Sequence, residues 1–260
     1  MRTTAKRKPS RLAPARSAAT DQRAGQRASQ GKSGTTSTAY EQAYQALRDA
    51  VLAGNFRPGE VLTLRALGAL LGVGTMPVRE ALKRLTSEGA FEALPNRSAR
   101  VPILERRQVE QILDLRQNLE GKAAYLAAKN ITLLQIEHLR SIQNDVAACA
   151  HSGDVRAYAA RNMAFHFEIY RIADNPVLLT LIQALWLRMA PLLASTISLF
   201  ANDRKLLGRV GVTHHEKLLE AFQHRDAPAA EKVMRDDLIT PTQFPGYWEA
   251  IERRIYEPAA

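Results

Sequence analysis

The sequence predicts a mainly α protein: a small unit of three helices and a β-hairpin, followed by a larger all-helical bundle. Three observations carry this. Apolar residues recur at i, i+3, i+4 and i+7 through most of the chain after residue 39. Only "AFEALPNRSARVPIL", residues 90–104, shows two short extended runs flanking a turn, Pro95-Asn96-Arg97-Ser98. Charge is also segregated. Residues 1–39 hold nine Lys and Arg against Asp21 alone, residues 40–104 hold eight basic and six acidic residues, and residues 105–260 hold nineteen of each.

The elements follow in order. Residues 1–39 have Leu12 as their only large apolar side chain after Met1, so they offer neither an amphipathic face nor a signal-peptide core. They are expected to form a disordered basic tail. Residues 40–53 read as a helix with Tyr44, Leu47 and Val51 on one face, and "GNFRPGEVL" is a turn built on Gly54 and Pro58-Gly59. "TLRALGALLG" is a second short helix, with Leu64, Leu67 and Leu71 on its stripe. A third helix lies in "GVGTMPVREALKRLTSEG", residues 72–89, where Val78, Ala81, Leu82 and Leu85 make the buried stripe. Thr75 is the expected N-cap, Pro77 sits in the first turn and Gly89 closes the C-terminus. Arg79 and Lys83 stand one turn apart on its open face, and Glu80 with Arg84 has the spacing of a surface ion pair. Helix, helix, tight turn, helix, hairpin is the order of a winged helix-turn-helix over residues 40–104.

From Glu105 the pattern is wholly helical to about residue 240. Val109, Ile112, Leu113, Leu119, Ala123 and Leu126 share a stripe; Thr132 with Gln135 has the capping-box spacing; Asp154 caps a third helix; Asn175-Pro176 opens a long apolar one. Further helices are expected at about 205–225 and 227–239, giving a bundle of six or seven, with 241–260 as a C-terminal extension. The long apolar segment 176–200 is the length of a membrane span, yet it carries Arg188 at its middle, which would cost roughly 2.5–3.5 kcal/mol in a bilayer. A buried core helix and a soluble, cytoplasmic protein are therefore expected. The single Cys149 excludes an intrachain disulfide framework and fits a reducing compartment. A net charge of +10 weighted to the N-terminal side points to a polyanion partner there.

Residues 40–104 resemble the GntR family of bacterial transcription regulators through "RPGEVL", "LGALLGV" and "PVREALKRLTSEG". The helical remainder is similar to the FCD ligand-binding domain of the FadR-like branch, through "LRQNLEGKAAYLAA", "FHFEIYRIADNPVLLTLI" and "HHEKLLEAF". The resemblance implies that Arg65, Thr75, Arg79, Asn96 and Arg97 touch double-stranded operator DNA, while Arg100 is an even choice between DNA and a strand role. Two departures bear on this. Gly74-Thr75-Met76 stands where the family has Ser-Arg-Thr, and Ser98 replaces its wing glycine. In the metal-binding FCD domains an Asp and three His hold the ion; at the matching positions this chain has Asn162, His166, His215 and Asp237. Two imidazoles and a carboxylate suit a divalent metal such as zinc. The alternative is a metal-free polar pocket in which His166 and Asp237 hydrogen-bond. His214 is expected to point away from the site, and His138, His151 and His224 to face solvent.

Arg116 shares the buried stripe of Ile112 and Leu119, so its charge needs a partner: either Glu120, four residues on, or the carboxylate of an effector. The expected function is a ligand-responsive transcription regulator, a homodimer on a palindromic operator, modulated by a small organic acid. Two rivals remain: an effector-independent nucleic-acid binder, and a two-His-one-carboxylate metalloenzyme. The missing strand pattern and the lack of a nucleophile–base or HExxH motif weigh against an enzyme.

Overall fold

The computed structural model describes residues 38–95, 98–200 and 211–256. The expected tail up to residue 37, the hairpin-tip residues Asn96 and Arg97, and the start of the helix expected near 205 lie outside the described residues.

The N-terminal unit begins with α1, Ala39–Leu52. A capping box opens it: the Glu41 amide donates to the Thr38 hydroxyl, and the Thr38 amide to the Glu41 carboxylate. Helix α2, Leu64–Leu71, is capped by Thr63 and stopped by Gly72, whose φ of 67° lies in the left-handed region that glycine adopts without strain. Helix α3 is Thr75–Ser87, and it buries the expected Val78, Ala81, Leu82 and Leu85. Gly89 satisfies the exposed carbonyls at its end, with bonds from Gly89 to Thr86 and Ala90 to Leu85. Two expectations are corrected here. Gly74, in extended conformation, holds the N-cap position without a side-chain bond, so Thr75 is already helical. Glu80 pairs with Lys83 at 2.8 Å and Arg84 with Glu88 at 2.9 Å, leaving no Glu80–Arg84 pair.

The hairpin consists of β2, Glu92–Leu94, and β3, Ser98–Arg100, with Leu94 opposite Ser98. A third strand, β1 (Val61–Thr63), pairs antiparallel on the other side of β3, in the order β1-β3-β2. Arg100 lies on the strand and pairs with Glu92 at 2.6 Å. Leu47, Leu67, Val78, Leu85, Phe91 and Val101 form the core of this head.

The bundle contains α4 (Arg106–Asn130), α5 (Leu133–Ser152), α6 (Val155–Ile172), α7 (Pro176–Phe200), α8 (Thr213–Gln223) and α9 (Ala227–Ile239). Thr132 with Gln135, and Asp154, cap α5 and α6 as their sequence spacing predicts. Ala123, Ala124, Ala127 and Ala128 on α4 let α9 approach closely through Ala227, Ala230 and Met234. A 3₁₀ turn, Thr240–Gln243, and α10, Tyr247–Tyr256, follow. Although α7 is long and apolar enough to cross a membrane, its Leu178, Ile182, Trp186, Met189 and Leu192 are buried among the other helices.

Helix α7 joins the two parts. Leu187 and Ala190 belong to the head's core rather than the bundle's. Gly54, just after α1, approaches so closely that a Cβ there would lie 2.4 Å from the Ala194 Cβ. Arg156 on α6 adds a 3.3 Å hydrogen bond to Asn55.

Candidate functional site

On the head, α2 and α3 present Arg65 and Thr75 to solvent, with Arg79 half-buried. Among the described residues neither arginine has an ion-pair partner, whereas Lys83, Arg84 and Arg100 do. Unpaired guanidinium groups beside a solvent-facing helix start are free to meet phosphate or guanine edges. Asn96 and Arg97 lie outside the described residues.

The second site lies inside the bundle. Helix α6 supplies His166, α8 supplies His215 and α9 supplies Asp237, all three buried. One metal-ligating atom from each falls within 4.8 Å of the others. His166 Nε2 is 3.3 Å from His215 Nε2 and 3.3 Å from Asp237 Oδ2. Asn162, one turn before His166, lines the same cavity. Three of the four positions singled out in the sequence therefore come together, and Asn162 lines the cavity that His166 and Asp237 also line.

The neighbours fix which ring nitrogen of each histidine carries hydrogen. Gln143 donates its amide to the Val212 carbonyl and to Glu216, leaving its oxygen to accept from His215 Nδ1 at 2.7 Å. The Tyr170 hydroxyl donates to Glu120, so it accepts from His166 Nδ1 at 3.1 Å. Both Nε2 atoms then turn toward Asp237 and each other, the arrangement in which outer-shell partners orient ligating imidazoles. Burial pushes the His215 pKa down to about 3, and His166 beside it adds to the effect against the opposing pull of Asp237. Burial alone would raise the Asp237 carboxyl, but the hydrogen bond and charge of His166, with His215 and His214, hold it below the usual range. A neutral imidazole and a carboxylate thus face His166 Nε2. His166 can meet them as a protonated donor, or the three groups can converge on a metal ion.

The spacing fits a metal. Donors about 2.0–2.1 Å from a tetrahedral zinc lie about 3.3 Å apart, the distance of His166 Nε2 from each of its two neighbours, while all three donor atoms fall within 4.8 Å of one another. His214 departs from expectation: its Nδ1 lies 3.7 Å from Asp237 Oδ1, buried and without a hydrogen-bond partner, while its Nε2 is 3.5 Å from the Thr240 hydroxyl. His214 of α8 and His166 of α6 thus stand at opposite oxygens of the Asp237 carboxylate. His138, His151 and His224 face solvent.

Arg116 is buried with Glu120, Nε to Oε1 at 2.6 Å and Nη2 to Oε2 at 3.3 Å, and its guanidinium lies 4.6 Å over the Trp186 ring. Burial opposes its charge, but Glu120 holds its pKa above the ordinary value. Of the two partners left open by the sequence, Glu120 is present. Arg116 also lines the cavity, of about 80 Å³, that adjoins the donor trio. Part of the lining comes from the head: Leu52, Ala53 and Gly54. Gln143, Tyr170 and Trp186 were not singled out in the sequence; Tyr170 lies one helical turn after His166, the position from which a hydroxyl can orient its ring.

A winged head fused to a helical bundle is an architecture found among transcription regulators. The model for "Bacterial regulatory proteins, gntR family" matches residues 39–101, and the model for the FCD domain matches residues 111–239. The regulator McbR of Escherichia coli (strain K12) is 33% identical over 138 residues, 53% of this chain and 62% of McbR. The chain therefore aligns with less than two thirds of that relative's length. The transcriptional repressor GlaR of the same organism is 26% identical over 215 residues, 76% of this chain and 91% of GlaR. The solved structure of E. coli McbR/YncC superposes with a TM-score of 0.72 at 27% identity, covering 79% of this chain and 98% of that one. The chain belongs to the GntR family of DNA-binding transcription regulators, in the FadR-like branch with an FCD domain, and is not an enzyme.

Proposed function

We propose that this protein is a cytoplasmic, ligand-responsive regulator, most simply a repressor, whose homodimer binds a palindromic operator and whose bundle senses a small organic acid through a divalent metal. The converging donors of His166, His215 and Asp237 carry the reading. These three residues would hold zinc or a similar ion, with the Asn162 amide oxygen as a weak further donor. The metal, when bound, supplies a Lewis-acidic position for an effector carboxylate. Arg116, its charge met by Glu120, acts as a positioning residue: it holds Glu120, which orients Tyr170 and through it His166.

The head's part of the cavity lining explains why occupancy would matter for DNA. Filling a space walled partly by Leu52, Ala53 and Gly54 favours whichever placement of the head accommodates the ligand. Arg65, Thr75 and Arg79, with Asn96 and Arg97 of the wing, are the proposed DNA contacts. A two-fold dimer is supported by Leu133 and Leu134 at the start of α5 and by Val177 and Leu181 at the start of α7, all large apolar side chains left exposed.

The test is elemental analysis of untagged protein beside a His166→Ala/His215→Ala double variant. The reading expects about one equivalent of a divalent metal per wild-type chain and a near-complete loss in the variant. Sub-stoichiometric metal in both, with acid binding intact in the variant, would overturn both the metal and the pocket assignment.

A further inference from the structure

The segment after α9 lies beyond the FCD match, which ends at residue 239. The 3₁₀ turn Thr240–Gln243 puts Pro241 on the cavity wall beside Leu238. Helix α10 then packs on the second half of α7, burying Tyr247 and Ile251 against Met189, Leu192 and Phe200. Two of its contacts reach α7 residues that themselves line the cavity. The Thr196 hydroxyl donates to the Leu192 carbonyl at 3.0 Å, so the Tyr247 hydroxyl, 2.9 Å away, is the donor to Thr196. The Phe200 ring lies 5.4 Å from Phe244 and 6.4 Å from Tyr247, centroid to centroid.

Thr196 and Phe200 are one turn apart, so they face the same way. Phe200 stands about four turns along α7 from Trp186, whose ring is against His166. His166 and Asp237 of the trio and the α7 residues braced by the C-terminal segment thus line one cavity, with Phe200 and Trp186 at the two ends of its α7 lining. We infer that residues 240–256 form the end wall of the ligand cavity and set the length of acid it accepts, with Tyr247 positioning Thr196 and Phe200. The inference rests on the cavity being the ligand site. An acid held by its carboxylate at the trio would run its alkyl chain along the Trp186, Ala190, Leu193 and Ile197 side of α7 until it met that wall.

The test is calorimetric titration of the full zinc-loaded chain with straight-chain monocarboxylates from acetate to octanoate. In wild type, affinity should collapse past a limiting length, each excess methylene costing about tenfold or more. Tyr247→Ala should remove that loss for the next one or two homologues while leaving acetate unchanged. Phe200→Ala, which opens the same wall from α7, should do likewise, and serves if Tyr247→Ala fails to fold. The same limiting length in wild type and in the folded variants overturns the wall assignment alone. No binding of any acid to wild type overturns the ligand reading and the wall with it.

Discussion

Replacing Arg116 with Met tests the buried pair that stands behind the donor trio. Met matches the arginine stem in length and shape but removes the charge, leaving the Glu120 carboxylate fully buried without its bidentate partner. Losing one member of such a pair costs about 3–5 kcal/mol, because the survivor keeps its desolvation penalty. At about 2–4 °C per kcal/mol for a chain of this size, the melting temperature should fall by about 6–20 °C. The companion double variant, Arg116→Met with Glu120→Gln, removes both charges but keeps an oxygen to accept from the Tyr170 hydroxyl. It should recover at least half of the loss, giving a coupling energy of several kcal/mol in the double-mutant cycle. Differential scanning calorimetry of the four proteins, treated with EDTA so that metal does not contribute, measures it. Additive losses, with the double variant as unstable as the two singles combined, would refute the claim that the pair is held by mutual charge in a dry site.

Other outcomes follow from the same structure. Arg79→Ala should weaken operator binding by about 1–3 kcal/mol, the worth of one good base contact, without altering the bundle; unchanged affinity in a gel-shift titration would remove α3 as the reading helix. Because His215 is held neutral down to about pH 3, while an unfolded histidine protonates near 6.5, the unfolded chain binds more protons between those values. Metal-free protein should therefore be most stable above about pH 6.5 and lose stability as pH falls below it, with a flatter profile for His215→Gln in urea denaturation. A wild-type profile as flat as the variant's would contradict the buried neutral imidazole. Gly54→Ala forces a Cβ to within 2.4 Å of the Ala194 Cβ at a φ of 67°, so it should shift the head and change operator affinity, while Gly54→Ala with Ala194→Gly restores it in part. Equal affinities for wild type and Gly54→Ala would show that this contact does not transmit.

The helices were legible because their stripes are long. The stripe of α3 and the caps of α5 and α6 appear where sequence spacing places them. Strand β1 was not, since Val61–Thr63 is too short for alternation to register and is defined only by its partner β3. The cap of α3 was misplaced by one residue because Thr75 has the right chemistry, while the backbone leaving the α2–α3 turn is already extended at Gly74. At the site, likeness to a family supplied His166, His215, Asp237 and Asn162. Gln143 could not be seen that way: it lies 72 residues from His215, and only the packing of α5 against α8 brings its amide to the ring. Nor could the sequence show that Leu52, Ala53 and Gly54 of the head wall the bundle's cavity, because that depends on α7 contributing Leu187 and Ala190 to the head's core.

The most direct test of the whole account is the affinity of the full-length chain for a genome-selected operator fragment, measured by fluorescence anisotropy with the site stripped by EDTA and again with zinc and a binding acid present. Coupling between a sensor and its DNA-reading head is typically worth about 5–150-fold in affinity. The account predicts a difference in that range for wild type and its collapse in the His166→Ala/His215→Ala variant, which should still bind the operator. Equal operator affinity for the stripped and loaded wild-type protein would contradict it.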